Sequence, residues 1–151
     1  MGGYDLFLLD FNVGDEFVSA GETVTESQII DFAMKWDPQP YHTNLVHPRT
    51  EAQGGLLASG FHTICLTFRQ FQMDGIIGAS ALASPGIEKL RWLKPVRPGD
   101  TLHVVSRVTD VRRFDSKPDR GALTMDHLTI NQNGETVFSC ECVHILQVRE
   151  A

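Results

Sequence analysis

Two prolines interrupt the chain at Trp36-Asp37-Pro38-Gln39-Pro40-Tyr41-His42 and constrain whatever fold surrounds them. Proline fixes its own φ and moves the preceding residue out of the α region, so this segment is a stiff loop. The loop carries a carboxylate, Asp37, and an imidazole, His42. Fully extended, at ~3.1 Å per residue, it would hold the two side chains about 15 Å apart, too far to share one water molecule. We therefore expect the loop to bend.

A second helix follows this loop. After Gly54-Gly55 the chain reaches Ser59-Gly60, where a strongly apolar helix is predicted to begin. A helix N-terminus offers unpaired N–H groups and the positive end of the helix dipole, which suits an oxyanion. The sequence thus predicts an acid, a base and an oxyanion hole within one short region. The structural alternative is that Asp37 before proline only ends a helix.

These residues resemble a known family, the MaoC-like dehydratases and R-specific enoyl-CoA hydratases. Members carry Asp-x-Asn-Pro-x-His, followed eighteen residues later by a glycine that begins a central helix. Here Asp37 and His42 match the motif, and Gly60 lies eighteen residues after His42. The run Arg91-Trp92-Leu93-Lys94-Pro95-Val96-Arg97-Pro98-Gly99-Asp100 resembles the family's strand-turn signature. The resemblance extends from about Phe11 to Val148.

Three positions depart from the family pattern. Gln39 replaces the usual Asn, Ser59 stands where many members have His, and Phe68 takes a central-helix position that is often Ser in R-hydratases. These departures concern the substrate more than the fold.

The resemblance implies a site and a reaction. Asp37 and His42 would hold the water that is added across an enoyl thioester, and the Gly60 N–H would stabilise the enolate. Coenzyme A would enter as part of the substrate, with no metal and no other cofactor. Phe68 would shape the acyl pocket. Three basic residues would meet the coenzyme A phosphates, or form a solvated basic turn: Arg91, Lys94 and Arg97.

Length and charge limit the alternatives. The 151 residues predict a single domain, 1–151, long enough to bury a core. The net charge is −6 and the 13 Lys and Arg are scattered, which argues against a nucleic-acid surface. The apolar run Leu6-Phe7-Leu8-Leu9 is too short for a signal peptide or a membrane span. Three cysteines without a CxxC spacing predict neither disulfides nor a metal site, so we expect a cytoplasmic protein.

The first half of the chain predicts one short strand and two helices. A strand is expected at 16–20, and Thr25 to Gln28 forms a capping box. The helix that follows would bury Ile29, Phe32, Ala33 and Trp36 on one face. An irregular or short-helical flap is expected at 43–53. The second helix, from Gly60 to about Met73, is apolar nearly all round and should be buried.

The second half predicts antiparallel strands after a flexible stretch at 75–85. Strands are expected at 87–93, from 102 with a bulge at Val111, at 123–130 and at 138–148, and Asn133-Gly134 predicts a hairpin turn. The fold class is therefore α+β, and the resemblance specifies a hot dog fold, a curved antiparallel sheet wrapped around a buried central helix. Unprotected edges and an apolar face at 138–148 predict a homodimer or a higher homo-oligomer.

Two other functions fit the same sequence. A hot dog acyl-CoA thioesterase would attack the carbonyl carbon of a similar thioester, with Asp37 as its base. A non-catalytic acyl-CoA-binding module would result if Gln39, Ser59 and Phe68 have dismantled the site.

Overall fold

One antiparallel sheet supports the fold in the computed structural model, which describes residues 4–150. The strand order is β1-β4-β5-β6-β3, and the short β2 pairs with β4 beside β1. The strands are β1 Glu16–Val18, β2 Glu22–Thr23, β3 Ala81–Trp92, β4 Thr101–Arg113, β5 Arg120–Ile130 and β6 Thr136–Gln147. The helices are α1 Glu26–Trp36, α2 Pro40–Thr43, α3 Pro48–Ala52 and α4 Gly60–Met73, preceded by a 3-10 turn at Leu8–Asp10. The predicted α+β class is confirmed.

Helix α1 begins at the predicted capping box. The Thr25 side chain accepts from the Gln28 N–H, and the Gln28 side chain accepts from the Thr25 N–H. Ile29 and Ala33 are fully buried, as expected. The prediction for Trp36 is wrong, because its side chain is 72% exposed. As the last helical residue, it lies at the edge of a cavity between α1 and α4 and not beneath a neighbouring element.

Helix α4 has the predicted bounds but is not buried all round. Its buried side is largely polar: His62, Thr63, Thr67, Gln70 and Phe71. The sheet satisfies part of this side, since the Thr67 and Thr129 hydroxyls are 2.6 Å apart and the Gln70 amide nitrogen donates to the Leu102 carbonyl at 2.7 Å. Among the described residues, His62 Nδ1 and Gln70 Oε1 are buried without a hydrogen-bond partner. Phe61 and Cys65 are exposed, so the expectation of burial all round is wrong for a single protomer. Among residues 4–150, no helix is long and apolar enough to cross a membrane.

The strands are partly displaced from their predicted bounds. β1 ends at Val18, and β3 begins at Ala81, so the flexible stretch is shorter than predicted. Pro85 lies inside β3 and is tolerated there because this strand is an edge strand that pairs with β6 alone. The register shift falls between Val108 and Asp110, close to the predicted bulge. The 131–134 turn joins β5 to β6 as predicted, with Gly134 at φ +74.

The apolar face of β6 lies in the interior of the protomer. Phe138, Cys140, Cys142, His144 and Leu146 are all buried, and both cysteines are free thiols, as expected. Because β6 is flanked by β5 and β3 and this face is covered, it is not an oligomer surface; that part of the dimer argument is wrong. Exposed apolar side chains lie instead along the edge strand β3, which presents Leu82, Ile87 and Trp92.

Candidate active site

The loop that contains the two prolines bends and brings Asp37 and His42 together. Asp37 caps the C-terminus of α1, and Pro40 begins the single turn of α2, which carries His42. This turn brings Asp37 Oδ2 to 3.4 Å from His42 Nε2. The Asp37 side chain is 13% exposed and the His42 side chain 5% exposed. An acid and a base therefore lie together, largely shielded from solvent.

Two side chains donate to the Asp37 carboxylate. The Gln39 amide donates to Oδ1 at 2.7 Å, and the Ser59 hydroxyl donates to Oδ2 at 2.7 Å. Burial alone would raise the pKa of Asp37, but the hydrogen bonds from Ser59 and Gln39, together with the nearby His42, lower it below the ordinary value of 3.8. Asp37 is therefore an anion at neutral pH.

The His42 ring is held in one tautomer. Its Nδ1 lies 2.6 Å from the Leu57 carbonyl oxygen, and a carbonyl only accepts, so Nδ1 carries the hydrogen. In the neutral ring, Nε2 then has a free lone pair directed toward Asp37. At 3.4 Å the two atoms are too far apart for a good hydrogen bond with each other, and both residues line the same cavity.

Ser59 joins the acid-base loop to the N-terminus of α4. Its hydroxyl accepts from the Phe61 N–H at 3.2 Å while it donates to Asp37, and the residue is completely buried. Gly60 lies between Ser59 and Phe61, and its N–H is not the one that the Ser59 side chain caps. Among the residues the structure describes, the Gly60 N–H has no acceptor within hydrogen-bond distance. It is a free donor at the positive end of a helix.

The indole ring of Trp92 lies directly against Gly60 and leaves no room for a side chain there unless the ring moves. A Cβ on residue 60 would lie 2.5 to 2.9 Å from the indole ring atoms. The indole N–H also donates to the Gly60 carbonyl at 3.0 Å. β3 thus fixes the position of the helix N-terminus. Both residues line a cavity of about 500 Å³, together with Asp37, Gln39, Tyr41, His42, Leu57, Ala58, Phe61, Thr63, Leu93, Lys94, Pro95 and Val96.

The other predicted site residues lie in three different environments. Lys94 lines the cavity and forms an ion pair with Glu135. Arg97 donates to backbone carbonyls at the end of the flap and just after it, among them that of Gly55 at 2.7 Å. Arg91 is exposed on β3, where it donates to the carbonyl of the preceding residue.

Phe68 lies away from the Asp37 cavity. It is half-buried on α4, with its ring edge-on to His127 at 5.3 Å between ring centroids. Its assignment to the acyl pocket and that of Arg91, Lys94 and Arg97 to coenzyme A stay predictions.

The sequence did not indicate how the Asp37 carboxylate is held. In the sequence, Gln39 and Ser59 stand out only as departures from a family pattern, yet both side chains donate to Asp37. Ser59 is 22 residues from Asp37, and no spacing rule connects a loop to a helix cap over that distance. Tyr41 and Trp92 carried no site prediction, although both line the cavity.

A second cavity, of about 620 Å³, lies between α1 and α4. Its lining includes the ion pair of Arg69 and Glu22 and the buried His62, whose ring stacks on Phe32 at 4.5 Å. Burial lowers the pKa of His62. Neither Asp37 nor His42 lines this cavity; both line the smaller one.

Comparison with known proteins identifies the family and the fold. Residues 11–130 match the family model described as a MaoC like domain. A crystal structure of a MaoC-like dehydratase from Rhodospirillum rubrum is 38% identical, superposes with a TM-score of 0.88, and is matched over 97% of this chain and 99% of its own. An unliganded R-hydratase from Pseudomonas aeruginosa has the same fold, with 22% identity, a TM-score of 0.73, and coverage of 95% of this chain and 86% of its own.

A shorter match links the chain to a characterised hydratase. It is 40% identical to the mesaconyl-CoA hydratase of Cereibacter sphaeroides over 63 residues, which is 42% of this chain and 18% of that protein. A double hot dog fold is also among the matched structures, with a TM-score of 0.69 and 17% identity. The hot dog fold predicted for this chain is confirmed.

Proposed function

Because the chain belongs to the MaoC-like domain family, we propose that it is a hydro-lyase that adds water to an enoyl thioester, or removes it from a 3-hydroxyacyl thioester. The observation that carries the proposal is the pair of atoms Asp37 Oδ2 and His42 Nε2, 3.4 Å apart on the wall of a cavity. Both atoms accept hydrogen bonds and can hold one water from two sides. The similarity to a mesaconyl-CoA hydratase supports the same reaction class.

In the hydration direction, the water donates one hydrogen to Asp37 and one to His42, which leaves an oxygen lone pair for the β-carbon. As the C–O bond forms, one O–H bond breaks and its proton passes to His42 Nε2. We assign the base to His42 because the hydrogen bonds from Ser59 and Gln39 reduce the basicity of Asp37. The π electrons move onto the thioester as an enolate. The α-carbon then takes up the proton held at His42 Nε2, which returns the ring to its neutral form and completes the addition of one water.

The Gly60 N–H is proposed to stabilise the enolate oxygen. It is a free donor at a helix N-terminus and lines the same cavity as the acid-base pair. A single well-placed donor of this kind contributes about 3 to 4 kcal/mol to the transition state. Because protonation and charge stabilisation come from side chains and backbone, the reaction as written uses no metal and no redox cofactor. Coenzyme A is proposed as the thiol carrier, with Lys94 the basic residue that lines the cavity.

The proposed assembly is a homodimer that pairs through β3. Among the described strands it pairs only with β6, and nearly all its side chains are exposed. The apolar side of α4 is uncovered as well, with Phe61 56% exposed. A free edge and an apolar helix face on one protomer favour association with a second copy. Sedimentation at micromolar concentration tests this, since a monomer there would contradict the proposal.

The function is tested with a panel of enoyl-CoA thioesters of different chain length, branching and aromatic substitution. The products are separated by chromatography, and free thiol is measured in the same reactions. We expect a 3-hydroxyacyl thioester and no thiol release. Thiol release would identify a thioesterase instead, and stoichiometric binding of acyl-CoA without turnover would identify a binding module.

A further inference from the structure

The loop contains a hydrogen-bonded chain that ends on the Asp37 carboxylate. The Tyr41 hydroxyl lies 2.5 Å from Gln39 Oε1, and Gln39 Nε2 lies 2.7 Å from Asp37 Oδ1. We infer that Tyr41 is a positioning residue, which acts through the Gln39 amide to keep a hydrogen-bond donor on Asp37. The inference deepens the proposed function, and its kinetic test rests on that function.

The Asp37 carboxylate determines the donor and the acceptor in both hydrogen bonds of the Tyr41–Gln39–Asp37 series. A carboxylate without a proton only accepts, so the nitrogen of the Gln39 amide must face Asp37. Its oxygen then faces Tyr41, and the phenol must donate. In the flipped amide, two acceptor oxygens would lie 2.7 Å apart, which is repulsive. Tyr41 therefore stabilises the one amide orientation that helps the carboxylate.

Gln39 needs this support because its side chain is exposed and has several rotatable bonds. Ordering such a side chain has an entropic cost, and a single exposed hydrogen bond contributes little to offset it. The Tyr41 ring, in contrast, is only half-exposed and lies edge-on to His42 at 4.4 Å. A fixed phenol thus holds the flexible amide from its other end. Without the phenol, the amide would spend part of its time hydrogen-bonded to water.

The remaining groups around Asp37 do not depend on Tyr41. Ser59 donates to the other carboxylate oxygen from the cap of α4, and His42 lies on α2 with its Nδ1 bound to Leu57. Lys94, which lines the same cavity, forms an ion pair with Glu135. Removing only the Tyr41 hydroxyl therefore changes one hydrogen bond to Gln39 and leaves these contacts in place.

The first test measures the titration of the Asp37 carboxyl carbon by NMR and needs no substrate. In Tyr41→Phe, the midpoint should move to higher pH, because the carboxylate loses a steadily held donor. Tyr4→Phe is the matched control: Tyr4 is the other tyrosine of the sequence, and its ring packs edge-on against Phe17. The control should titrate like the wild-type protein. An unchanged midpoint in Tyr41→Phe would overturn the inference.

The second test is a double-mutant cycle in hydration kinetics. Tyr41→Phe should lower kcat about 3- to 10-fold with little change in KM, the effect of one neutral hydrogen bond. In a Gln39→Leu background, the same substitution should have no further effect, since Tyr41 acts through Gln39. An equal loss in both backgrounds would mean that Tyr41 contacts the substrate directly and would contradict positioning. If no thioester is hydrated at all, the proposed function fails, while the titration still decides the role of Tyr41.

Discussion

Two clusters of hydrogen-bonded side chains in this fold each contain a histidine and a serine, but they lie in different environments. In the loop cluster, His42 lies beside Asp37, and Ser59 donates to that carboxylate. In the sheet cluster, His127 Nδ1 lies 2.7 Å from the Ser106 hydroxyl, and its Nε2 lies 3.1 Å from Nε2 of His144. In the loop cluster, Asp37 lies between the serine and the histidine. In the sheet cluster, the serine contacts a histidine directly.

The two clusters differ in access and in charge. The sheet cluster is buried from β4 to β6, contains no carboxylate, and is covered by Phe71, whose ring lies 4.6 Å from that of His127. Burial lowers the pKa of His127 to about 3 and that of His144 to about 4, so both rings are neutral and hydrogen-bonded core residues. The loop cluster lines a cavity and contains an anion. Polar groups alone do not make a site; access and a held charge do.

The largest expected effect comes from removing the charge of the loop cluster. Asp37→Asn keeps the shape but removes the negative charge that orients the water and stabilises the protonated His42, so the hydration rate should fall about 10²- to 10⁴-fold. His42→Ala should cause a similar loss. Because both side chains hold one water, the double variant should be little worse than either single one.

The melting temperature of each variant is the control for that prediction. Folding should survive in all three variants, since Pro38 and Pro40 hold the loop independently of the charge. A large fall in melting temperature with a proportionate loss of rate would return Asp37 and His42 to structural roles. Full activity in Asp37→Asn would exclude the proposed mechanism.

The next effect separates the clusters by pH. In the unfolded chain, His127 and His144 bind protons near pH 6.5, while in the folded chain they bind them only near pH 3 to 4. The unfolded state is therefore favoured as the pH falls below 6.5, and stability should decrease by at most about 1.4 kcal/mol per pH unit for each histidine. The pKa of Asp37 is lowered from 3.8, so its contribution to stability is lost only as the pH falls toward and below 3.8.

This dependence is measured by urea unfolding at pH 7 and pH 5. His144→Gln should reduce the loss of stability between the two pH values. His62, whose pKa burial also lowers, adds to the loss in every variant and cancels in the comparison. Equal losses in wild-type and His144→Gln protein would show that the sheet cluster does not titrate as stated.

A smaller effect is expected where α4 meets the sheet cluster. Phe68 packs edge-on to His127, so Phe68→Ser opens space beside it and should cost about 1 to 3 kcal/mol, less than for a fully buried ring. The same substitution should shift activity toward bulkier acyl groups if this space receives the chain. The measurements are urea unfolding and the chain-length profile of the enoyl-CoA panel. An unchanged profile with the expected stability loss would make Phe68 a packing residue only.

The elements with local signals were predictable from the sequence. The capping box at Thr25, the start of α4 at Gly60 and the turn at Gly134 all depend on residues within a few positions of one another. The bend between Asp37 and His42 followed from two prolines in the same way.

The remaining features depend on contacts between distant segments. Helix α4 is apolar nearly all round in sequence, but the side that contacts the sheet is the one with Thr67 and Gln70, whose hydrogen bonds reach distant strands. The donors to Asp37 were missed for a similar reason, since Ser59 arrives from a helix cap. Periodicity identifies an amphipathic face but does not say which partner will cover it.

The smallest expected effect compares one serine from each cluster. Ser59→Ala removes a donor from Asp37 and the cap of α4, so the hydration rate should fall about 10-fold and stability by about 1 kcal/mol. Ser106→Ala leaves the buried His127 Nδ1 without a partner and should cost about 1 to 3 kcal/mol of stability with no change in rate. Both variants are measured for urea unfolding and hydration rate. A loss of rate in Ser106→Ala, or none in Ser59→Ala, would contradict the division of the fold into a reactive cluster at a cavity and an inert cluster in the core.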